Sequence, residues 1–174
     1  MKSIDDKAQA ITTVILDIDG VLTDGKVGYG ESDMEIKFFD VKDGHGLKLL
    51  MRAGLTVGLL SGRGSRANRT RAEELGVDFL YEDKKNKREA FQQILQDRRV
   101  TRQECLYIGD DLVDVPVMRE AGLSIAVADA VQETKDTADW ITTHAGGRGA
   151  VREVCDWLLK KQDKWTMVTD RYLQ

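Results

Sequence analysis

The stretch V-I-L-D-I-D-G-V-L-T-D-G, residues 14–25, constrains this chain more than any other. Val14, Ile15 and Leu16 form a short apolar run of the kind that fills a buried strand. The run breaks at Asp17, and Asp19 and Gly20 follow. On an extended chain residues i and i+2 point to the same side, so both carboxylates are expected to leave the strand end together. Charges about 4 Å apart repel by roughly 1–4 kcal/mol between the dielectrics of water and a protein surface, and burial makes this worse. A chain keeps such a pair when a cation neutralises it or when one group must carry a proton. The plainer alternative is a strand that ends in a polar turn, with Asp-Gly supplying the turn.

Strand and helix patterns alternate downstream. Residues 26–41 read as a hairpin, with residues 30–33 turn-rich and Met34, Ile36 and Phe38 in alternation. Residues 43–54 read as a helix closed by Gly54, and residues 56–60 as a strand that ends at Ser61-Gly62-Arg63. A helix over 65–75 closed by Gly76, a strand over 77–81 and a helix over 84–98 follow, the last carrying Phe91, Ile94 and Leu95 inward. Thr101 and Glu104 have capping-box spacing before a strand over 105–108, which ends at Gly109-Asp110-Asp111. A helix around Pro116 ending at Gly122, strands over 123–127 and 140–142, and an amphipathic helix over 149–161 complete the pattern.

This rhythm predicts an α/β fold: a Rossmann-like parallel sheet with helices on both faces, plus a β-hairpin insertion. Sites in such sheets lie at the carboxyl ends of the strands. The loops at Asp17, Ser61 and Asp110 all follow strands, so they are expected to meet at one edge. The 174 residues suit one domain, expected over 1–162, followed by a tail over 163–174 in which no period is evident. Between the loops there is room for the hairpin and single helices but not for a cap domain. The net charge of −4 argues against a nucleic-acid partner. No apolar run approaches the roughly 20 residues of a membrane span, and the polar first ten residues lack a signal-peptide core. Cys105 and Cys155 have no metal-like spacing and read as reduced core thiols, which points to the cytoplasm.

Each candidate group has a plainer reading. Asp110, Asp111 and Asp114 suit a helix start, where acidic residues favour the dipole. Ser61 suits an N-cap. Lys87 stands among Lys84, Lys85 and Arg88, and lysines in such runs are usually solvated. His45 and His144 are isolated and are not expected to bind metal.

Taken together, D-I-D-G at 17–20, S-G-R at 61–63, Lys87 and G-D-D-L-V-D at 109–114 resemble the four motifs of the haloacid dehalogenase superfamily of phosphotransferases. V-L-T-D-G at 21–25, D-G-H-G at 43–46, G-D-D-L-V-D-V-P-V-M at 109–118 and G-G-R-G-A-V-R-E-V-C at 146–155 narrow the resemblance to small capless members that act on acidic sugar phosphates. That family often carries an aromatic residue where this chain has His45.

The resemblance implies a Mg²⁺-dependent phosphatase. Asp17 would be the nucleophile that forms an aspartyl-phosphate. Asp19 would protonate the leaving oxygen and later deprotonate water. The metal ligands would be Asp17, the Asp19 backbone carbonyl and Asp110, with Asp111 close behind or bonded through water. Ser61, the Gly62 amide and Lys87 would hold the phosphoryl oxygens, with Arg63 and Arg71 on the sugar's carboxylate. It also implies a homotetramer in which the hairpin, with exposed Tyr29, Met34, Ile36, Phe38 and Phe39, meets other copies. Rival readings are a phosphatase of a nine-carbon sialic-type acid phosphate and a non-catalytic partner of a sugar-nucleotide synthetase.

Overall fold

In the computed structural model, which describes residues 3–31 and 34–174, the apolar run of the opening motif forms β1 (Thr13–Leu16), with all four residues buried. It lies in the middle of a six-stranded sheet of order β5-β4-β1-β6-β7-β8. Its partners are β4 (Thr56–Leu60) and β6 (Cys105–Gly109), both parallel to it, with Leu16 opposite Leu59 and Ile108. β5 (Phe79–Tyr81), β7 (Leu123–Ala126) and β8 (Trp140–Ile141) extend the sheet, also in parallel. Strand order reverses on either side of β1. The loops that follow β1, β4 and β6 are therefore neighbours at one edge, the position where such sheets bind ligands.

The connections are helical. α2 (Val41–Arg52) and α3 (Arg66–Leu75) lead from β1 outward through β4 to β5. α4 (Lys87–Arg98) returns to β6, and α5 (Val115–Met118) and α6 (Gln132–Thr137) lead the other way to β8. Because parallel crossovers are right-handed, the two groups cover opposite faces of the sheet. α7 (Ala150–Lys161) packs on α2 and buries the expected stripe of Val151, Val154, Cys155, Leu158 and Leu159. Burying each large apolar side chain of this kind contributes about 1.5–3 kcal/mol.

Several expected boundaries move, each for a local reason. α4 begins at Lys87 rather than at residue 84, because the Asn86 side chain accepts from the Glu89 amide as N-cap. The strand expected from 77 starts at Phe79, and the helix expected to reach Gly122 is the single turn α5. The hairpin is much shorter than expected. Only β2 (Gly28–Tyr29) and β3 (Glu35–Ile36) pair, antiparallel, and the chain turns into α2 once Asp40 caps it. Ser32 and Asp33 of the expected turn lie outside the described residues, as do Met1 and Lys2.

Three helices were not expected, the short α6 between β7 and β8 among them. α1 (Ile4–Ala10) is started by a capping box between Ser3 and Asp6, but it buries only Ala8 and so shows no stripe. The tail read as aperiodic is helical over α8 (Trp165–Leu173). Its packed side runs through Trp165, Val168 and Thr169 to an exposed Tyr172 that reaches His45, spacing that a threonine and a tyrosine disguise.

Candidate active site

The turn after β1 is tight. The Ile18 carbonyl accepts from the amides of Val21, Leu22 and Thr23, and Gly20 adopts φ +94°. A Cβ on Gly20 would stand 2.0 Å from Asp110 Oδ2, so glycine lets the loops after β1 and β6 touch. The G-G-R-G motif braces this turn from behind. A Cβ at Gly146 would overlap the Gly20 carbonyl, and the Gly147 amide donates to the Val21 carbonyl.

Asp17 is buried at the end of β1, its amide bonded to the Ile108 carbonyl. Its Oδ1 lies 2.9 Å from Lys87 Nζ. Lys87 occupies the first turn of α4 and is only 3% exposed, which overturns the solvated reading for this lysine. Its second partner is Asp114, at 2.7 Å. Asp114 is wholly buried, and its Oδ1 also accepts from the Tyr107 hydroxyl at 2.7 Å. Its Oδ2 accepts from the amides of Asp110 and Asp111, at 3.0 and 3.2 Å. With both oxygens occupied, Asp114 orients Lys87 and the β6 loop.

One oxygen from each of Asp17, Asp110 and Asp114 falls within 4.8 Å of the others. Burial pushes Asp17 up to about 7, against the pull of Lys87 and with the charge of Asp114 adding to it. Burial, and then Asp17 and Asp114, push Asp110 up to about 8. Asp110 Oδ1 is buried with no hydrogen-bond partner. Asp114 is spent on other bonds, so Asp17 and Asp110 present hard oxygen donors short of positive charge. That set fits Mg²⁺, which takes few protein ligands and prefers oxygen.

Asp19 leaves the strand end toward the same cleft as Asp17 but engages a different lysine. Its carboxylate pairs with Lys37 at 2.6 Å and stands outside the acidic cluster. The repulsion within D-I-D is thus relieved by a separate lysine for each carboxylate.

The loop after β4 closes the site. The Ser61 hydroxyl donates to the Arg63 carbonyl and accepts from the Arg63 amide. Ser61, Gly62 and Arg63 line the cleft of about 370 Å³ that holds Asp17, Asp19 and Lys87. Arg63 pairs with Glu35 of β3 at 3.1 Å. Lys84 and Lys85 also line this cleft, and neither forms an ion pair among the described residues. Arg71 is not brought to it. Its guanidinium donates to the Asp40 carbonyl and to Glu74, lies over the Phe39 ring, and borders a separate groove between β3 and α3. His45 contacts Tyr172 of α8, and His144 pairs with Glu153.

Lys37 and Tyr107 escaped the sequence. Lys37 follows the hairpin alternation and reads as outward-facing, whereas Tyr107 reads as strand core. Asp114 carried a signal in its spacing from Asp110, one helical turn, but nothing to separate a ligand from a brace.

Residues 77–154 match the haloacid dehalogenase-like hydrolases, a span that holds Lys87, Asp110 and Asp114. The chain is 44% identical over 158 residues to the 3-deoxy-D-manno-octulosonate 8-phosphate phosphatase of Escherichia coli K12, covering 91% of this chain and 84% of that protein. A crystal structure of the phosphatase of that name from Moraxella catarrhalis, in complex with magnesium ion, phosphate ion and KDO, superposes with a TM-score of 0.94. It is 37% identical, over 97% of both chains. The cobalt-bound form of the deoxy-D-mannose-octulosonate 8-phosphate phosphatase of Haemophilus influenzae is 39% identical, with a TM-score of 0.91 over 97% of this chain and 99% of that one.

Proposed function

This chain belongs to the haloacid dehalogenase-like hydrolases, and from that premise we propose that it is a Mg²⁺-dependent phosphatase. It hydrolyses 3-deoxy-D-manno-octulosonate 8-phosphate to the free sugar acid, a lipopolysaccharide precursor, and phosphate. The observation that carries this is Asp17 at the end of the central strand, pinned by a buried lysine that Asp114 holds in turn. It sits in a cleft with a second carboxylate, Asp19.

Asp17 and Asp110 would hold the Mg²⁺ with the Asp19 backbone carbonyl, and a bound ion would offset the negative charge of the phosphoryl group so that a carboxylate can approach it. Asp17 attacks phosphorus, the bond from phosphorus to the sugar oxygen breaks, and Asp19 gives that oxygen a proton. Asp19 then takes a proton from water, which attacks the aspartyl-phosphate, and Asp17 and inorganic phosphate are released. Lys87, the Ser61 hydroxyl and the Gly62 amide stabilise the phosphoryl oxygens. Arg63, with Lys84 and Lys85, supplies positive charge for the carboxylate end of the substrate. Arg71, expected in that role, braces α3 against the start of α2.

We also propose a homotetramer in the cytoplasm. Tyr29, Met34 and Phe38 are exposed on and beside the hairpin, which suits burial against other copies. Cys105 and Cys155 are buried free thiols, which suits a reducing compartment. Sedimentation as a monomer at micromolar concentration refutes the assembly.

Phosphate release from a panel of sugar phosphates, including a nine-carbon sialic-type acid phosphate, tests the substrate. The octulosonate ester is expected to give the highest kcat/KM. Asp17→Asn is expected to stay folded and to lose roughly 10⁴-fold or more in activity, the scale on which removal of a nucleophile acts. Chelation is expected to silence the wild type and Mg²⁺ to restore it. Turnover that survives either treatment refutes the mechanism, and no turnover on any phosphate ester favours a non-catalytic partner.

A further inference from the structure

Lys37 follows β3, and none of its side chain is exposed. Its ammonium has three oxygen neighbours, two carboxylate oxygens in ion pairs and one amide oxygen in a hydrogen bond. Asp19 Oδ1 lies at 2.6 Å, Glu35 Oε1 at 3.1 Å, and Asn68 Oδ1 accepts a hydrogen bond at 2.9 Å. Asn68 is itself wholly buried in α3 and donates from Nδ2 to the Arg63 carbonyl at 3.2 Å. One lysine therefore ties together the turn after β1, the hairpin and the loop after β4. An ammonium is costly to bury and is kept where its partners need it in place. Among the described residues, Lys37 is the one charged partner of Asp19.

We propose that Lys37 is a positioning residue. It sets where the Asp19 carboxyl stands relative to a leaving oxygen whose phosphoryl group rests on the Ser61–Gly62–Arg63 loop. Through Asn68 it fixes that carboxyl and that loop to each other, so a proton travels the same short path in every turnover. The inference rests on the reading of Asp19 as the group that protonates the leaving oxygen.

A displaced general acid hurts most when the leaving group is a poor one. A strongly acidic phenol departs without a proton, whereas a weakly acidic one needs it. Phenyl phosphate and p-nitrophenyl phosphate are close in shape, carry no carboxylate and differ in leaving-group acidity. Their kcat/KM values report the steps up to leaving-group departure. Lys37→Gln is expected to lower kcat/KM roughly 10- to 100-fold for phenyl phosphate and roughly threefold or less for p-nitrophenyl phosphate. Lys37→Arg, which keeps the charge, should recover part of the loss on phenyl phosphate. Asn68→Ala should act in the same sense with smaller size, and it decides the matter if circular dichroism finds Lys37→Gln unfolded. Equal losses on both esters in a folded variant overturn the proposal, because a merely structural lysine acts on both alike. Asp19→Asn separates the two readings. Without leaving-group selectivity in Asp19→Asn, the general-acid reading itself falls. With selectivity there but not in the Lys37 and Asn68 variants, only the role of Lys37 falls.

Discussion

The two walls of the cleft each hold one carboxylate of the D-x-D motif on a buried lysine, yet they are built on opposite plans. On the sheet wall, Lys87 pairs with Asp17 and Asp114, and Asp110 stands in the same cluster without a cation of its own. Three carboxylates against one cation leave that wall short of positive charge, and its lysine is locked by Tyr107 and the β6 loop through Asp114. On the hairpin wall, Asp19 and Glu35 face Lys37 and Arg63, two against two. That wall is balanced by itself but hangs on a two-residue ladder flanked by exposed Met34 and Phe38. The sheet wall is finished as structure and incomplete as electrostatics, and the hairpin wall is the reverse. A metal therefore belongs to the first, and contacts from another copy of the chain suit the second.

Removing the brace from each wall tests the contrast most strongly. Asp114→Ala leaves the buried Lys87 ammonium with Asp17 alone and takes the acceptor from the Tyr107 hydroxyl and two loop amides, so it should cost about 1–3 kcal/mol for each group left unpaired. Arg63→Ala removes a half-exposed partner of Glu35 and should cost about 1 kcal/mol or less. Urea unfolding of both variants checks this, and similar losses would erase the distinction between the walls.

The charge deficit should also appear as a pH dependence of the metal-free protein. Folding raises Asp110 from its ordinary range to about 8 and Asp17 to about 7. Between the ordinary carboxylate range and those values, the folded state binds protons that the unfolded state has released. Stability therefore falls as pH rises through this window, and the full penalty is present above it. Asp110→Asn removes one of the charges. With chelator present, it should melt above the wild type at pH 8.5, with the gap shrinking toward pH 5. Each kcal/mol corresponds to about 2–4 °C in a chain of this size. Mg²⁺ should raise the wild-type melting point at pH 8.5 and move the variant less. A wild type more stable at pH 8.5 than at pH 5 without metal would count against the deficit.

The same contrast explains what could be read from the sequence. The sheet wall was legible because its residues sit where strands end. Apolar runs locate β1, β4 and β6, and parallel topology then brings Asp17, Ser61 and Asp110 to one edge. Lys87 was legible only through the spacing of a family motif, since its own neighbourhood, K-K-N-K-R, reads as solvated surface. The hairpin wall was not legible. Alternation predicts which side chains share a face, but a two-residue ladder ends before alternation has any force, and Lys37 turns inward just past it. The place of Arg71 was not legible for a related reason. Its sequence position shows an arginine on a polar helix, whereas the Asp40 carbonyl and Phe39 ring that engage it come from a segment about thirty residues earlier.

The placement of Arg71 yields the finest test of how the walls divide recognition. A brace acts on folding and so on every substrate alike, whereas a recognition group acts only on a substrate that carries its partner. Arg71→Ala should lower the melting point and reduce turnover of the sugar acid phosphate and of a small aryl phosphate by similar factors. Lys84 and Lys85 lie at the cleft with no ion pair among the described residues, so replacing them costs the fold only the contact of the Lys84 ammonium with the Tyr81 ring. Contacts of exposed cations with a carboxylate contribute about 0.2–1 kcal/mol each. The double variant Lys84→Gln, Lys85→Gln should therefore lose roughly 2- to 30-fold in kcat/KM on the sugar acid phosphate, with the aryl phosphate nearly unchanged. Salt should shrink that difference, because exposed charges are screened within about 8–10 Å at physiological ionic strength. If Arg71→Ala is selective for the sugar acid and the lysine pair is not, the carboxylate end lies in the groove between β3 and α3. The hairpin wall, rather than the mouth of the cleft, then reads the substrate.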